Sequence, residues 1–299
     1  MMMRTPTVAD PADGGPAFVP ADPTVPQIRV DDLGVTRGDG VFETVNAVEG
    51  HLQALDAHLE RLRRSAAMLE LPDPAVEHWA AAVRAAVDAH EPAAELLVKL
   101  VLTRGPELGT GTALGRPGPG SGCTGWVLAT KAPDFSRARA QGIDVMTLAR
   151  CLPSDVQTLA PWLLAGSKSL SYALNMATLR WAHDHGADDA VFVSTDGLLL
   201  EGPNSTFVVQ RGDTLTTPPV DLGILHGTAQ ARMFGFAEKR GLRTEYGPLR
   251  VEDLHTADTV WNCSSGKLAA PVRSVDGVAR TWDAALHAAL LADLLGDRS

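Results

Sequence analysis

The chain has few cysteines. Its three, Cys123, Cys151 and Cys263, are far apart and odd in number. That fits neither a disulfide framework nor a zinc-ligand spacing, and the expected setting is reducing and cytoplasmic. No stretch approaches the roughly 18 apolar residues of a membrane span, so no membrane partner is expected. The apolar core of a signal peptide is missing too. Residues 1–26 are rich in Pro, Ala, Asp and Gly and read as a disordered extension before a fold that begins near Gln27. Positive charge is short: 26 Lys and Arg against 36 Asp and Glu, a formal net charge of −10. This argues against a general nucleic-acid binder, which needs Lys and Arg against phosphates. It leaves room for a small anionic substrate, because local potential can oppose net charge.

What is present is enough apolar mass for a core, 45% of 299 residues. At roughly 100–200 residues per domain, two domains are expected. Residues 41–48 read as a strand after the loop Arg37-Gly-Asp-Gly40. Leu55, Leu59, Leu62, Ala66 and Leu69 then share one helical face. A second helix is expected over 74–90, then strands over 95–104 and 126–130. Between those strands, residues 105–122 hold seven glycines and three prolines, too little apolar surface to pack, and read as a mobile surface loop. The smaller α/β domain is therefore expected over 27–134, a linker over 135–142 and a larger domain over 143–299. The larger domain should hold a strand at 143–148 and a helix over 169–185 closed by Gly186. Hairpins at 190–201 and 206–217, a helix over 228–240, a strand at 259–262 and a terminal helix over 282–295 follow. Strands and helices mix without regular βαβ alternation, which favours an α+β (mixed α/β) fold in two halves over a doubly wound sheet.

Lysine is also scarce, and each of the five can be weighed: Lys99, Lys131, Lys168, Lys239 and Lys267. Lys239 reads as solvated surface beside Arg240, and Lys131 sits in a linker. Lys99 alternates with Val98 and Leu100 on a strand, and Lys267 lies in a loop. Lys168 differs. It follows the apolar run Pro161-Trp-Leu-Leu-Ala165 and is expected directly before a helix, whose amides would favour loss of its proton. A neutral amine there could form a Schiff base with an aldehyde cofactor.

Glu201 ends an apolar strand before Gly202-Pro-Asn-Ser-Thr206. It would either accept backbone N–H bonds in its own turn or pair with a buried cation such as a protonated pyridine. Arg61 lies near the apolar edge of the 55–69 helix. Gly227-Thr228-Ala229 opens a helix, where free amides favour an anion. Ser264-Ser265-Gly266 is a hydroxyl-rich turn. Taken singly, each has an ordinary structural reading.

Taken together and in order, these segments resemble the class IV (fold type IV) pyridoxal-phosphate enzymes: branched-chain and D-amino-acid aminotransferases and 4-amino-4-deoxychorismate lyases. The matching segments are Arg37-Gly-Asp-Gly-Val-Phe-Glu-Thr44, His58-Leu-Glu-Arg-Leu62, Leu102-Thr-Arg-Gly105, Lys168-Ser-Leu-Ser-Tyr-Ala-Leu-Asn175, Glu201-Gly-Pro-Asn-Ser-Thr-Phe207, Ile224-Leu-His-Gly-Thr228 and Cys263-Ser-Ser-Gly266, with Pro271-Val272 after them. The resemblance implies a two-domain D-amino-acid-aminotransferase-like fold, the cofactor pyridoxal 5'-phosphate, a larger domain that binds it, and a homodimer. By the same resemblance Lys168 bonds the cofactor and Glu201 pairs with its pyridine nitrogen. Arg61 grips its phosphate, with Gly227, Thr228, Ala229, Ser264 and Ser265 as the rest of the cup. The sequence departs from many relatives at Gly227-Thr-Ala-Gln230, where position 229 carries no hydroxyl; backbone amides survive that change.

The lysine chemistry is common to all members. The Arg37-Gly-Asp-Gly40 opening resembles that of lyases and D-amino-acid aminotransferases rather than the Gly-Thr-Ser-type opening of branched-chain enzymes, and the segments around Lys168 and Glu201 resemble actinobacterial aminodeoxychorismate lyases, which release 4-aminobenzoate and pyruvate in folate biosynthesis. The alternative is a class IV aminotransferase for D-amino or branched-chain amino acids. A third reading is a cofactor-free dimer that kept the scaffold, which the joint presence of Lys168 and Glu201 opposes. A small anionic amino substrate needs a basic partner. Lys99 and Arg104, at odd spacing on one strand, cannot both face a site. Arg104 is the expected substrate-binding residue, against its alternative as a strand-end surface arginine, and Thr44 is expected to position the leaving group.

Overall fold

The structure is a computed structural model and describes residues 1–4, 18–107 and 122–296. Most of the loop expected at 105–122 lies outside the described residues, as do positions 5–17 of the N-terminal segment. The chain divides into two compact units, residues 1–132 with 167–172, and residues 133–166 with 173–297.

In the first unit the order is β1 (Met2–Arg4), β2 (Val19–Ala21), α1 (Leu33–Arg37), β3 (Gly40–Val48), β4 (His51–Leu52), α2 (Leu55–Met68), α3 (Val76–Asp88), β5 (Glu95–Thr103) and β6 (Thr124–Lys131). The strands form one antiparallel sheet, β2-β1-β6-β5-β3-β4. In the described parts of the 1–26 segment the structure shows strands where a disordered extension is expected: Val19–Ala21 pairs with Met2–Arg4, and Met2 and Met3 are buried and pair with Leu128 and Val127. Two apolar side chains on the edge of β6 outweigh the polar composition that comes after them. The Glu49-Gly50 turn joins β3 to β4 with both residues at positive φ, 49° and 81°, a conformation suited to a two-residue hairpin. α1 ends in Gly38 at φ 69°, whose amide bonds the Leu33 carbonyl. Along β3, Val41, Val45 and Ala47 are fully buried at period two, on the face that also carries Glu43. Leu59, Leu62 and Ala66 of α2 are buried as their helical spacing predicts.

The second unit runs α4 (Ser136–Gln141), β7 (Ile143–Ala149), α5 (Val156–Leu159), a 3-10 turn at Pro161–Leu163, α6 (Ala173–Asp184), β8 (Asp189–Val193), β9 (Thr206–Arg211), β10 (Thr214–Thr217), α7 (Thr228–Lys239), β11 (Arg243–Tyr246), α8 (Val251–Thr256), β12 (Thr259–Ser264), β13 (Leu268–Val275), β14 (Val278–Ala279) and α9 (Ala284–Gly296). Its mixed sheet has the order β11-β10-β9-β12-β13-β7-β8, with β14 on β13. Alternation sorts the core to its two faces. Phe207, Val209 and Val260 join Ile143, Val272 and Leu254 on one face. Val208, Trp261 and Cys263 join Met233 and Phe236 of α7 and Leu290 and Leu294 of α9 on the other. The expected linker over 135–142 is mostly helix α4, held by Arg139, whose guanidinium donates to the carbonyls of Lys267 and Gly266 at 3.1 and 2.7 Å. The mixed α+β architecture agrees with the expectation from sequence. Among the described residues, no helix is long and apolar enough to cross a membrane.

Candidate active site

Lys168 lies on an extended segment of the first unit. Its carbonyl accepts the Phe42 N–H at 2.9 Å, and the Leu170 N–H donates to the Gly40 carbonyl at 2.8 Å. Its own N–H donates to Ser65 Oγ of α2 at 3.1 Å. This corrects the expectation that Lys168 directly precedes a helix, since α6 begins only at Ala173. β4 covers only the Ala47–Val48 end of the β3 edge, and Ser169 pairs with Val41 at the other end. The backbone at 168–170 is spent on the sheet and cannot start a helix. The half-buried Lys168 places Nζ 4.4 Å from the Phe42 ring centre and 5.8 Å from that of Tyr172. The two rings meet edge-on at 5.1 Å. Aromatic faces attract the ammonium and limit the swing of its four-carbon stem.

On the helix-facing side of β3 lies a polar cluster of Glu43, His58 and Arg61, all three within the matching sequence segments, where only Arg61 is given a role. Glu43 is fully buried and takes Arg61 Nε on Oε1 at 2.6 Å and Arg61 Nη2 on Oε2 at 2.8 Å. His58 Nδ1 is 2.7 Å from Oε2. Burial opposes the Glu43 charge, but Arg61 and then His58 outweigh it and hold the carboxyl well below the usual carboxylate range. Burial, opposed by Glu43 and reinforced by the charges of Arg61 and Lys168, pushes the His58 imidazole below its usual value. A neutral His58 therefore donates from Nδ1 to Glu43. Arg61, expected as a phosphate ligand, thus has its guanidinium oriented by a buried carboxylate. The signal for this was on α2: His58, Arg61 and Ser65 follow an i, i+3, i+7 stripe and are buried beside the apolar one.

Arg104 is also buried and employed. Nε and Nη2 donate to Asp39 at 2.7 and 3.1 Å, Nη2 to the Leu69 carbonyl at 2.6 Å and Nη1 to the Glu70 carbonyl at 3.3 Å. This clamps the end of α2 to the 37–40 turn. Four of its five N–H donors are used in this way. Thr44 lies on β3 two residues from Phe42, on the same side of the strand, and is half-buried.

The second unit gathers the other expected segments. Glu201 accepts the Leu225 N–H on Oε2 at 3.1 Å, so the bond that holds it comes from another loop rather than from its own turn alone. Gly227 caps α7 without a side-chain hydrogen bond. A Cβ on Gly227 would come within 2.5 Å of Thr206 Oγ1, so only glycine lets the start of α7 pack against the 201–206 turn. Thr228 and Ala229 follow, both buried. Ser264 Oγ accepts the Lys267 N–H at 3.1 Å and closes the turn that carries Ser265.

The sequence profile of the family described as "Amino-transferase class IV" matches residues 40–275. The chain belongs to this family. A Mycobacterium tuberculosis protein described as a bifunctional aminodeoxychorismate lyase / D-amino acid transaminase is 40% identical over 92% of this chain and 96% of its own. A fold IV transaminase of Curtobacterium pusillum superposes with a TM-score of 0.89 at 45% identity, over 99% of both chains. The pyridoxal-phosphate-bound form of a hypothetical M. tuberculosis aminotransferase gives 0.85 at 38% identity, over 93% of this chain and 96% of that one. Family and fold make this a fold type IV enzyme whose cofactor is pyridoxal 5'-phosphate.

Each unit holds donors of the kind that group takes. An aldehyde needs an amine, and Lys168 of the first unit carries one. A pyridinium needs a carboxylate, and Glu201 is one already held by a backbone amide. A phosphate needs N–H donors, and α7 opens with helix amides that receive no side-chain cap from Gly227. Ser167 Oγ, next to Lys168, is buried with no hydrogen-bond partner among the described residues. That polar atom is of the kind a bound polar group satisfies.

Proposed function

We propose that this chain is an aminodeoxychorismate lyase, which converts 4-amino-4-deoxychorismate into 4-aminobenzoate and pyruvate. The observation that carries the proposal is the near full-length match to a relative described as having lyase and D-amino acid transaminase activities. In the proposed site, Lys168 would carry the cofactor, and its amine would take the proton from the amine-bearing carbon of the substrate. Bound pyridoxal phosphate supplies an electrophilic carbon and an electron-accepting ring. Glu201 holds the ring nitrogen protonated. The amides of Gly227, Thr228 and Ala229, the hydroxyls of Ser264 and Ser265, and the Arg61 guanidinium oriented by Glu43 hold the phosphate. Phe42 and Tyr172 confine Nζ, so that the same amine is presented after each turnover. Thr44, on the Phe42 side of β3, positions the leaving group. With that proton lost, the ring C–O bond breaks and enolpyruvate leaves, taking up one proton at its methylene carbon to become pyruvate; the ring left behind is aromatic, which drives the step.

D-amino-acid transamination is the second reading, favoured by the fold IV transaminase match over 99% of both chains. Holoenzyme given 4-amino-4-deoxychorismate, with no keto acid present, is expected to release 4-aminobenzoate and pyruvate in equal amounts. No 4-aminobenzoate, alongside keto-acid formation from D-alanine and 2-oxoglutarate, would reverse the order of the two readings.

The proposed assembly is a homodimer. In the second unit Leu159, Trp162, Leu163, Leu174, Met176 and Trp181 all stand exposed, Trp162 by 74%. Large apolar side chains concentrated over so short a stretch of sequence are characteristic of an interface rather than of a solvated surface. Sedimentation at micromolar protein is expected to show a dimer for the wild type and monomer for Trp162→Asp/Trp181→Asp. A wild-type monomer would contradict the assembly.

A further inference from the structure

By sequence Lys267 is an ordinary loop lysine, and Asp189 carries no motif at all. The structure joins them in the interior of the second unit. Lys267 Nζ lies 2.5 Å from Asp189 Oδ2, with side chains only 15% and 1% exposed. Asp189 has no oxygen to spare. Oδ1 accepts the Ala190 N–H at 2.8 Å, while Oδ2 also receives Asn262 Nδ2 at 3.1 Å and lies 3.4 Å from Ser205 Oγ. Asn262 Nδ2 donates in turn to Ser205 Oγ at 2.7 Å. The cluster therefore fastens three chain segments to one carboxylate: the start of β8, the 201–206 turn and the 264–267 turn.

The position of these segments gives the cluster its meaning. Ser205 is in the turn that begins with Glu201, next to Thr206, against which Gly227 packs. Lys267 closes the turn of Ser264 and Ser265. That turn is held from behind as well: Arg139 donates to the Gly266 and Lys267 carbonyls, and a Cβ on Gly266 would come within 2.6 Å of the Phe135 ring. A buried ion pair gains little net stability, because desolvation offsets the attraction. Its main effect here is to fix geometry.

We propose that Lys267 and Asp189 are positioning residues, whose buried pair sets the 201–206 turn and the 264–267 turn in register so that the ring-nitrogen acid and the phosphate hydroxyls meet one cofactor molecule at once. The inference rests on the reading that those two turns hold the cofactor.

The test compares wild type, Lys267→Met, Lys267→Arg, the double variant Asp189→Asn/Lys267→Met and Glu201→Gln. For each, apoprotein folding is followed by circular dichroism. Affinity is measured by titration with pyridoxal phosphate, and the pH midpoint of the bound cofactor's visible absorbance is recorded. Lys267→Met is expected to weaken cofactor binding about tenfold or more and to displace that midpoint, because both turns lose their common anchor. Lys267→Arg, which keeps a cation within reach of Asp189, should stay within about threefold of wild type. If Lys267→Met does not fold, the double variant, which leaves no unpaired buried charge, carries the same expectation. A folded Lys267→Met or double variant with wild-type affinity and midpoint overturns the inference. Glu201→Gln separates the two levels. If it moves the midpoint while the Lys267 variants do not, only the inference fails. If it moves nothing, the assignment of the 201–206 turn to the cofactor fails and the inference fails with it.

Discussion

Lys168→Ala is expected to lower turnover by at least about 10³-fold while leaving the protein folded and able to take up pyridoxal phosphate without a covalent bond. Folding survives because the structural work of residue 168 is done by its backbone. The carbonyl accepts from Phe42 and the N–H donates to Ser65, and alanine keeps both groups. Cofactor uptake survives because the proposed phosphate and ring-nitrogen contacts lie on other residues. What is lost is the amine that the Phe42 and Tyr172 rings hold in place. Small exogenous amines should restore part of the rate, since a free amine can stand in for the missing base. A variant retaining more than about a tenth of wild-type turnover would mean that another group takes the proton.

The second large effect concerns stability. Glu43→Ala is expected to cost about 3–5 kcal/mol in denaturant unfolding of the apoprotein, because it removes the buried carboxylate that neutralises Arg61. The direction with pH comes from the same cluster. Glu43 and His58 both titrate lower in the folded protein than when unfolded. For each, the stabilising contribution is complete above the unfolded value and is lost as pH falls through the folded one. Wild-type stability should therefore decline in two stages on acidification. The first stage, below about pH 6.5, is where His58 would gain a proton in the unfolded chain, and the second, below about pH 4.3, is where Glu43 would. In Glu43→Ala the second stage should shrink. A cost below about 1 kcal/mol, or an unchanged acid profile, would contradict the assigned role of the cluster.

How far the sequence led depends on which force shapes each element. Where burial and local spacing agree, the reading and the structure coincide. The apolar stripe of α2, the hairpin of β9 and β10 and the glycine closing α6 are such cases, with Gly186 at φ 83°. Where a tertiary contact overrides local preference, they part. Residues 169–172 have helical spacing, but β3 offers open hydrogen-bond partners and takes residues 168–170 as an edge segment. Met2 and Met3 lie in a polar segment and still join a sheet edge. The site shows the same division. Lys168, Glu201 and the start of α7 could be named as candidates because their motifs are local. Glu43 and His58 stood in the matching segments without a role, and Asp189 in none, because a carboxylate or imidazole in an apolar run declares its role only when its partner, fifteen or more residues away, is seen. The partners of Arg104 were hidden for the same reason: Asp39 and the end of α2, which employ its donors, are remote in sequence.

The central claim is that residue 168 carries the cofactor, and borohydride tests it most directly. Holoenzyme reduced with borohydride, digested and mapped by mass spectrometry should carry one pyridoxyl group, on the Lys168 side chain. The same label on Lys99 or Lys267, or no label in protein that has bound a full complement of cofactor, would contradict the account.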